Sequence, residues 1–367
     1  MTAIPSDFAL PAATLEALAA QLGRSVPVAR VCTDPNTPRS VLITGGAGFL
    51  AVHLLHRLVQ SGRFGQVYLL VRRPEALAIS LSRYGLDAAL ANQVQIVVGD
   101  LNDIALADLP AVDVVMHSAA RIHGLKSLKQ LWRDNVAASA RLFAHYSGKA
   151  ELHLVSTLSV FVSSNLKGVH QPYAVRPYEG YSLYGGYAQS KYICERLADT
   201  FGAHVIRLGL LTGSSTLGRF PENDFFTVFL RSMKSLGCQP DKAAPAWVDV
   251  TPVDLAAERI VQALDSQPRA EIVHIANCYA VSAKALCDAM ELLPIPAEEF
   301  KARVARLPGI ERVLLSYAFF KKESLTLFPH YFNIDLFQST GHTYGIRKPF
   351  TVSNDTLISL YLSDMGF

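Results

Sequence analysis

The stretch that decides the fold of this chain is Ser40-Val41-Leu42-Ile43-Thr44-Gly45-Gly46-Ala47-Gly48-Phe49-Leu50-Ala51. Its first five residues are mostly apolar and favour a buried strand, and residues 52–59 suit a helix. Glycines between a strand and a helix let backbone N–H groups approach a pyrophosphate at the N-terminus of the helix. The stretch therefore predicts a dinucleotide-binding turn, and an ordinary glycine-rich turn is the alternative.

Apolar runs recur downstream, and helical segments separate most of them. We predict further strands at Val67 to Val71, Val94 to Val98, Val112 to His117, Leu152 to Ser156, His204 to Leu208 and Ile272 to Ile275. Strands that alternate with helices imply a parallel sheet covered on both faces. The predicted fold class is α/β, a Rossmann-type doubly wound parallel sheet with a smaller C-terminal substrate-binding lobe.

The composition excludes several classes of protein. Half of the 367 residues are hydrophobic, which allows a large core. The five cysteines form no CxxC pair, and no metal site is predicted, so we expect a reduced, cytoplasmic protein. The net charge of +3 comes without a basic run, which argues against a nucleic-acid partner. No apolar run is long enough for a transmembrane segment.

The end of the second predicted strand indicates which dinucleotide fits. An Asp or Glu there binds the ribose 2′-hydroxyl, whereas an Arg accommodates a 2′-phosphate. Arg72 and Arg73 occupy this position, and the first carboxylate is Glu75. We therefore predict NADPH as the cofactor, and a solvated pair of charges is the alternative.

Tyr187 and Lys191 are four residues apart in Tyr187-Ala188-Gln189-Ser190-Lys191. On a helix this spacing puts the phenol and the ammonium on one face, where the cation makes the phenol a better proton donor to a carbonyl. The five nearest tyrosines lack a lysine at the same spacing: Tyr173, Tyr178, Tyr181, Tyr184 and Tyr192. Tyr187 is therefore the predicted catalytic acid.

A hydroxyl at the end of the fifth predicted strand can hydrogen-bond a substrate carbonyl. Thr157 is the candidate, with Ser156 and Ser159 as its rivals. Taken with the turn at Gly45 and Tyr187-x-x-x-Lys191, this hydroxyl makes the chain resemble the extended short-chain dehydrogenase/reductase family.

The resemblance implies roles for four catalytic residues: Thr157, Tyr187, Lys191 and Asn135. Thr157 takes the catalytic Ser/Thr role, Tyr187 that of the acid, and Lys191 binds the ribose. Asn135 matches the asparagine of the family's proton relay, although an isolated Asn at this place is more often a helix surface residue. Phe161 departs from the family's pattern, which has a tyrosine there.

A narrower resemblance, over Val41 to roughly Leu264, is to the thioester reductase branch, the terminal reductase domains of nonribosomal peptide and polyketide synthases and of carboxylic acid reductases. Its most specific stretch is Trp247-Val248-Asp249-Val250-Thr251-Pro252-Val253-Asp254. The resemblance implies reduction of an acyl thioester to an aldehyde, in some members to the alcohol. The alternatives are an extended reductase or epimerase acting on a free carbonyl compound or nucleotide sugar, and a binding protein without chemistry.

The resemblance also implies a partner. We expect the acyl group to arrive in trans, as the phosphopantetheine thioester of an acyl carrier or peptidyl carrier protein, with CoA as the other carrier. A helical pattern at residues 12–22 either docks that carrier or packs on the domain. Members of the superfamily often form dimers, which leaves a homodimer open.

The predicted organisation has three parts. Residues 1–38 form the N-terminal helix and linker, 39–212 the NADP-binding Rossmann domain, and 213–367 mainly the substrate-binding lobe, with a strand near 272–275 returning to the sheet. Asp100 after the third strand and the small residues after the fourth are placed beside the cofactor. The predicted cofactor-binding residues are Thr44, Gly45, Gly48, Phe49, Leu50, Arg72, Arg73, Asp100, Leu101, Ser118, Ala119, Ala120, Tyr187 and Lys191.

Overall fold

A computed structural model describes residues 3–23, 27–34, 36–164, 181–241, 247–248, 250–266, 272–277, 281–320 and 353–366. Asp249, Tyr173 and Tyr178 lie outside these residues. The side chains of Trp247 and Val248 are also outside the description.

The core is a seven-stranded sheet in which every neighbouring pair of strands is parallel. Its strands are Arg39–Thr44 (β1), Phe64–Val71 (β2), Gln95–Val98 (β3), Val114–His117 (β4), Glu151–Thr157 (β5), Ala203–Leu208 (β6) and Ile272–Ile275 (β7). Their spatial order is β7-β6-β5-β4-β1-β2-β3. The order reverses between β1 and β4, which places a binding crevice at their carboxyl ends. The predicted Rossmann sheet is confirmed.

The helices are Ala12–Ala20 (α1), Phe49–Ser61 (α2), Glu75–Arg83 (α3), Leu128–Leu131 (α4), Ala138–Tyr146 (α5), Ser159–Val162 (α6), Gly186–Phe201 (α7), Phe225–Leu236 (α8), Val253–Asp265 (α9), Ala283–Ala289 (α10), Ala297–Ala305 (α11), Gly309–Phe320 (α12) and Asn354–Asp364 (α13). A π-helical segment, Trp132–Ala137, joins α4 to α5. Short 3-10 turns span Ala88–Gln93 and Leu106–Asp108.

Among the described residues, four pairs of short strands lie outside the main sheet. They pair Ala9–Pro11 with Ser182–Tyr184, Cys238–Pro240 with Leu293–Ile295, Trp247–Val248 with Val281–Ser282, and Thr251–Pro252 with Leu211–Thr212. The last pair follows directly from β6 and leads into α9. It therefore connects the sheet to the C-terminal lobe.

Apolar side chains form three buried clusters. The first covers one face of the sheet and includes α5 and α7, and the second covers the other face with α2 and α9. The third belongs to the C-terminal lobe, where Phe229, Leu315 and Tyr361 are buried. Leu315 lies on α12, so part of the apolar run near residue 315 packs inside the lobe.

The N-terminal segment packs against the helix that carries Tyr187. Leu15 and Leu18 of α1 are buried in the cluster that contains α7, and the Tyr192 hydroxyl donates to Glu16 Oε1 at 2.9 Å. The strand Ala9–Pro11 pairs with the three residues that stand just before α7. The predicted packing of this helix on the domain is confirmed, and docking of a carrier by it stays a prediction.

A buried polar network ties the linker before β1 to the amino end of the sheet. Glu151, the first residue of β5, is 0% exposed. Its Oε2 accepts hydrogen bonds from the N–H and the hydroxyl of Thr33, both at 2.7 Å, and its Oε1 lies 2.6 Å from His153 Nε2. Thr33 Oγ1 also accepts from Arg39, whose guanidinium pairs with Asp265 at 2.7 Å. Burial would raise the pKa of Glu151, but the bonds from His153 and Thr33 hold that pKa at about 2.

Because of this network, the free energy of unfolding depends on pH in the acid range. Because the pKa of Glu151 is depressed in the folded state, its contribution is present above the unfolded pKa and is lost as the pH falls from about 5 towards 2. We expect Glu151→Gln to lower the free energy of unfolding near neutral pH by on the order of 3 kcal/mol and to flatten its slope in that acid range. Urea unfolding at a series of pH values measures both effects.

The control for this experiment is Glu298→Gln, which replaces an exposed carboxylate. It should follow the unsubstituted protein at every pH. An equally steep acid slope in Glu151→Gln would show that other groups carry the acid sensitivity.

Candidate active site

The glycine-rich turn has the backbone that a dinucleotide requires. Gly45 has a φ of +70°, and a Cβ at this residue would lie 3.0 Å from the Cα of Ala119, so only glycine fits. Gly48 is the N-cap of α2, and none of the described side chains caps that end of the helix. The first N–H groups of α2 can therefore bind a phosphate, and the turn fits a dinucleotide.

Phe49 and Leu50, the first two residues of α2, are predicted to contact the cofactor. The Phe49 ring packs against Tyr84, with the two centroids 4.8 Å apart, and Leu50 is buried in the core beneath the turn. Leu50 therefore has only its backbone for a cofactor, whereas the Phe49 ring is half-buried and its contact with a cofactor stays a prediction.

The residues after β4 lie across the crevice from the turn. Ser118, Ala119 and Ala120 are half-buried. The N–H of Ala119 donates to Thr44 Oγ1 at 3.2 Å, and Thr44 is fully buried. The hydroxyl of Thr44 therefore joins the carboxyl ends of β1 and β4, and it does not face the crevice as a ligand-binding group.

Two arginines stand at the end of β2 with their side chains in solvent. Arg72 is 80% exposed and lies 4.0 Å from Asp100, whereas Arg73 is 77% exposed and lies 3.9 Å from Glu75. Ion pairs this long and exposed are weak, so both guanidinium groups are available to an anion. The side chain of Leu101 is buried in the core, which leaves only its backbone for the cofactor.

Lys191 is anchored beneath Tyr187. Lys191 is 3% exposed, and its Nζ donates to the backbone carbonyl of Val155 in β5 at 2.8 Å. Burial lowers the pKa of Lys191, and the neighbouring Cys194 and Glu195 act in the opposite direction. Tyr187, one turn earlier on α7, is half-buried. An ammonium has three N–H donors, so Lys191 keeps donors for a further ligand.

The structure distinguishes Thr157 from one of its rivals. The Ser156 hydroxyl donates to Glu195 Oε1 at 2.6 Å, and Glu195 forms a buried ion pair with Arg207. Successive residues of a strand face opposite sides of the sheet, so Thr157 faces away from this ion pair. Thr157 Oγ1 accepts the N–H of Ser159 at 3.1 Å and donates to the Ser159 hydroxyl at 3.0 Å. Thr157 and Ser159 therefore form one polar pair at the end of β5.

Asn135 is 1% exposed, so the alternative of a helix surface residue is wrong. Its Nδ2 donates to Ser190 Oγ at 3.0 Å and to the Arg121 carbonyl at 3.2 Å, and its Oδ1 accepts the Arg121 N–H at 2.7 Å. The side chain thus ties the loop after β4 to the start of α7. Asn135 lies in the π-helical segment, a distortion frequent at functional sites. Its part in a proton relay stays a prediction.

Two further residues fix the start of α7, and the sequence did not single them out. A Cβ at Gly186 would lie 2.3 Å from the carbonyl carbon of Ser127, so the helix begins in contact with that backbone. Gln189 is buried, and its Nε2 donates to the carbonyls of Phe8 at 2.9 Å and Leu183 at 3.1 Å. The contact of Gly186 with Ser127 and the bond from Gln189 to Phe8 join segments far apart in sequence, and a local spacing pattern carries no signal for them.

Cys194 faces the interior from the same helix. Its thiol lies 3.4 Å from the Asn135 carbonyl and 3.4 Å from Ser139 Oγ. Burial raises the pKa of Cys194, which disfavours the thiolate that a nucleophile needs. Cys194 is therefore a packed residue.

The sequence profile of an NAD-binding family described as "Male sterility protein" matches residues 43–260. The chain belongs to this family. The match begins within β1 and ends within α9, so it contains the glycine-rich turn, Thr157 and the Tyr187-x-x-x-Lys191 pair. The predicted thioester reductase branch of the extended short-chain dehydrogenase/reductase family is confirmed, and membership implies a nicotinamide dinucleotide as the cofactor.

Curated relatives of this male sterility family member include the L-2-aminoadipate reductase large subunit of Candida glabrata. It is 28% identical over an alignment of 320 positions, which covers 75% of this chain and 23% of that protein. The glycine betaine reductase ATRR of Emericella nidulans is 28% identical over an alignment of 303 positions, which covers 74% of this chain and 23% of that protein. The chain thus spans less than a quarter of the length of these relatives.

Solved structures show the same fold. The terminal R domain from the myxalamid PKS-NRPS biosynthetic pathway superposes with a TM-score of 0.76 at 23% identity, covering 96% of this chain and 97% of that one. A thiolation-reductase di-domain from an archaeal non-ribosomal peptide synthetase gives 0.71 at 19% identity, covering 96% and 80%. Within the described residues, no helix has the length and apolar character needed to cross a membrane, and no cluster of side chains suits a metal ion.

A substitution that adds one methyl group at residue 186 tests the close contact there. We expect Gly186→Ala to lower the free energy of unfolding by about 1–3 kcal/mol or more, because the new Cβ meets backbone atoms that cannot yield without moving α7. Thermal unfolding measures the loss, and amide hydrogen exchange over residues 186–191 shows where the structure loosens. Gly65→Ala is the matched control, since its Cβ would meet only Pro38 at an ordinary 3.5 Å. Equal stability of the two variants would contradict the tight contact.

Proposed function

We propose that this chain is an NADPH-dependent reductase that converts an acyl thioester into an aldehyde. The acyl group is carried by an acyl carrier or peptidyl carrier protein, or by CoA. The observation that carries the proposal is the hydrogen bond from Lys191 Nζ to the Val155 carbonyl at 2.8 Å. This bond holds the Tyr187 helix against the strand that ends in Thr157, so an acid, a cation and a second hydroxyl share one edge of the sheet.

The residues that would hold the cofactor line the same crevice. The N–H groups at the start of α2 bind the diphosphate, Lys191 binds the nicotinamide ribose, and Arg72 and Arg73 bind the 2′-phosphate. A bound nicotinamide supplies the hydride. Nothing else in the reaction requires a redox group.

The side chains of the site stabilise the charge that develops on the substrate oxygen. As the hydride forms a C–H bond at the thioester carbon, negative charge develops on the carbonyl oxygen, and Thr157 and Tyr187 donate hydrogen bonds to it. Thr157 Oγ1 already accepts the Ser159 N–H, so its own hydrogen can turn from Ser159 Oγ to the substrate. Tyr187 gives its proton to the oxygen, which yields a hemithioacetal. The buried charge of Lys191 stabilises the resulting phenolate.

Collapse of the hemithioacetal completes the reaction. The C–S bond breaks as the C=O bond reforms, and the hydroxyl returns its proton to the Tyr187 phenolate. The sulfur leaves as a thiolate, which takes a proton from water and becomes a thiol. One hydride and one proton have been added, and the products are an aldehyde and a free thiol. No acyl-enzyme is formed, which agrees with the packed position of Cys194.

The choice of a thioester is supported by the relatives. The archaeal neighbour joins a reductase to a thiolation domain, and the Candida glabrata relative is a reductase of aminoadipate by its name. Incubation with NADPH and a panel of acyl thioesters, followed by mass spectrometry, tests the proposal. Aldehyde and thiol should appear in equal amounts. Reduction of a free ketone or nucleotide sugar without thiol release would replace the proposal by the alternative.

Tyr187→Phe tests the acid directly. We expect kcat to fall by about 10²- to 10⁴-fold, the range of general acid catalysis, while NADPH still binds. Tyr192→Phe on the same helix is the matched control, because it removes a hydroxyl that bonds Glu16 of α1. Its kcat should not change. A similar loss in both variants would indicate damage to α7 and not the loss of an acid.

Arg72→Ala tests the choice of nucleotide. Loss of a charge-assisted hydrogen bond to the 2′-phosphate should raise the dissociation constant of NADPH about tenfold or more and leave that of NADH unchanged. Arg73→Ala should act in the same direction. Fluorescence titration with both nucleotides gives the ratio, and Arg306→Ala, an exposed arginine of the lobe, is the control. Equal effects on NADPH and NADH would remove Arg72 from the 2′-phosphate site.

A further inference from the structure

A chain of buried hydrogen bonds crosses the reversal point of the sheet, and no step of the proposed reaction uses it. At its centre is His117, the last residue of β4, which is buried. Its Nδ1 lies 2.8 Å from Thr44 Oγ1, and its Nε2 lies 2.8 Å from Ser139 Oγ. Ser139 Oγ donates in turn to the backbone carbonyl of Asn135 at 2.6 Å.

The hydrogen positions follow from the number of donors. Ser139 has one hydroxyl hydrogen and gives it to the Asn135 carbonyl, so the Nε2 of His117 must carry the hydrogen that Ser139 accepts. Neutral His117 then accepts at Nδ1 from the Thr44 hydroxyl, which itself accepts the N–H of Ala119. Burial and the charge of Lys191 lower the pKa of His117 to about 3, which keeps the imidazole neutral. Only one arrangement of the hydrogens therefore satisfies every donor and acceptor in this chain of hydrogen bonds.

The two ends of the chain lie on different parts of the site. Thr44 directly precedes Gly45, where the backbone touches Ala119. At the other end, Asn135 bonds Ser190, the residue before Lys191. His117 therefore connects the cofactor turn with the segment that holds the start of α7. Because each donor has a single buried acceptor, loss of one bond leaves a partner unsatisfied.

We propose that His117 is a positioning residue that fixes the glycine-rich turn and the catalytic helix in one mutual register. Its Nδ1 bond to Thr44 supports the turn that binds the cofactor, and its Nε2 bond to Ser139 supports the segment that places Tyr187. The catalytic half of this inference rests on the proposed function, whereas the cofactor half rests only on membership of an NAD-binding family.

Two amide substitutions separate the roles of the imidazole nitrogens. The amide of His117→Gln reaches about as far as Nε2 and keeps Ser139, whereas that of His117→Asn reaches about as far as Nδ1 and keeps Thr44. We expect His117→Gln to weaken NADPH binding about tenfold, the scale of one buried hydrogen bond, with faster amide exchange in residues 44–48. We expect His117→Asn to hold NADPH affinity within about twofold and lower kcat about tenfold, with faster exchange in residues 186–191.

Two conservative substitutions and a control variant distinguish the proposed role of His117 from a general loss of folding. Thr44→Val should reproduce the His117→Gln pattern, and Ser139→Ala the His117→Asn pattern. His153→Gln removes another buried imidazole, which bonds Glu151 at the amino end of β5, and should lower Tm with NADPH affinity and kcat unchanged.

Two results would contradict the proposed role of His117. The same change in both His117 variants, or unchanged NADPH affinity and kcat in both, would overturn the proposal. Binding and hydrogen exchange need no turnover. If no thioester is reduced, they still decide whether His117 couples the two elements.

Discussion

The site depends on how α7 is seated on β5 and β6. Lys191 and Glu195, one turn apart, reach into the sheet: the ammonium bonds the Val155 carbonyl, and the carboxylate accepts from Ser156 and from two nitrogens of Arg207. Buried charges are costly unless all their hydrogen bonds are made, so a slip of the helix by one turn would leave both unpaired. The register of α7, and with it the position of Tyr187, is set by this penalty.

Other segments hold α7 in the same place. Gly186 allows its first turn to touch the backbone near Ser127, Gln189 bonds the N-terminal segment, and Ser190 bonds Asn135. The N-terminal strand and α1 cover its outer side. The role proposed for Tyr187 requires such a fixed position, because an acid must bring its proton within hydrogen-bond distance of the carbonyl oxygen.

Patterns that are local in the chain could be predicted. The alternation of apolar runs with helices revealed the parallel sheet, the strand near residue 272 returned to the edge as expected, and the Tyr187 and Lys191 spacing placed both on one helix. Contacts between distant segments could not. Ser156 and Thr157 are adjacent hydroxyl residues that face opposite sides of β5. The sequence does not show on which of these sides Glu195 and Arg207 lie. The π-helical turn around Asn135 and the clearance at Gly186 likewise depend on tertiary packing.

The packing of the N-terminal segment has a consequence for recombination between enzymes. A boundary drawn from the sheet alone would fall at Arg39, where β1 begins. The pairing of Ala9–Pro11 with Ser182–Tyr184 and the bond from Gln189 to Phe8 make the earlier residues part of the Tyr187 environment. A chimeric protein that exchanges this chain should therefore be joined upstream of residue 7, because a junction at residue 39 would combine α7 of one parent with the N-terminal segment of another.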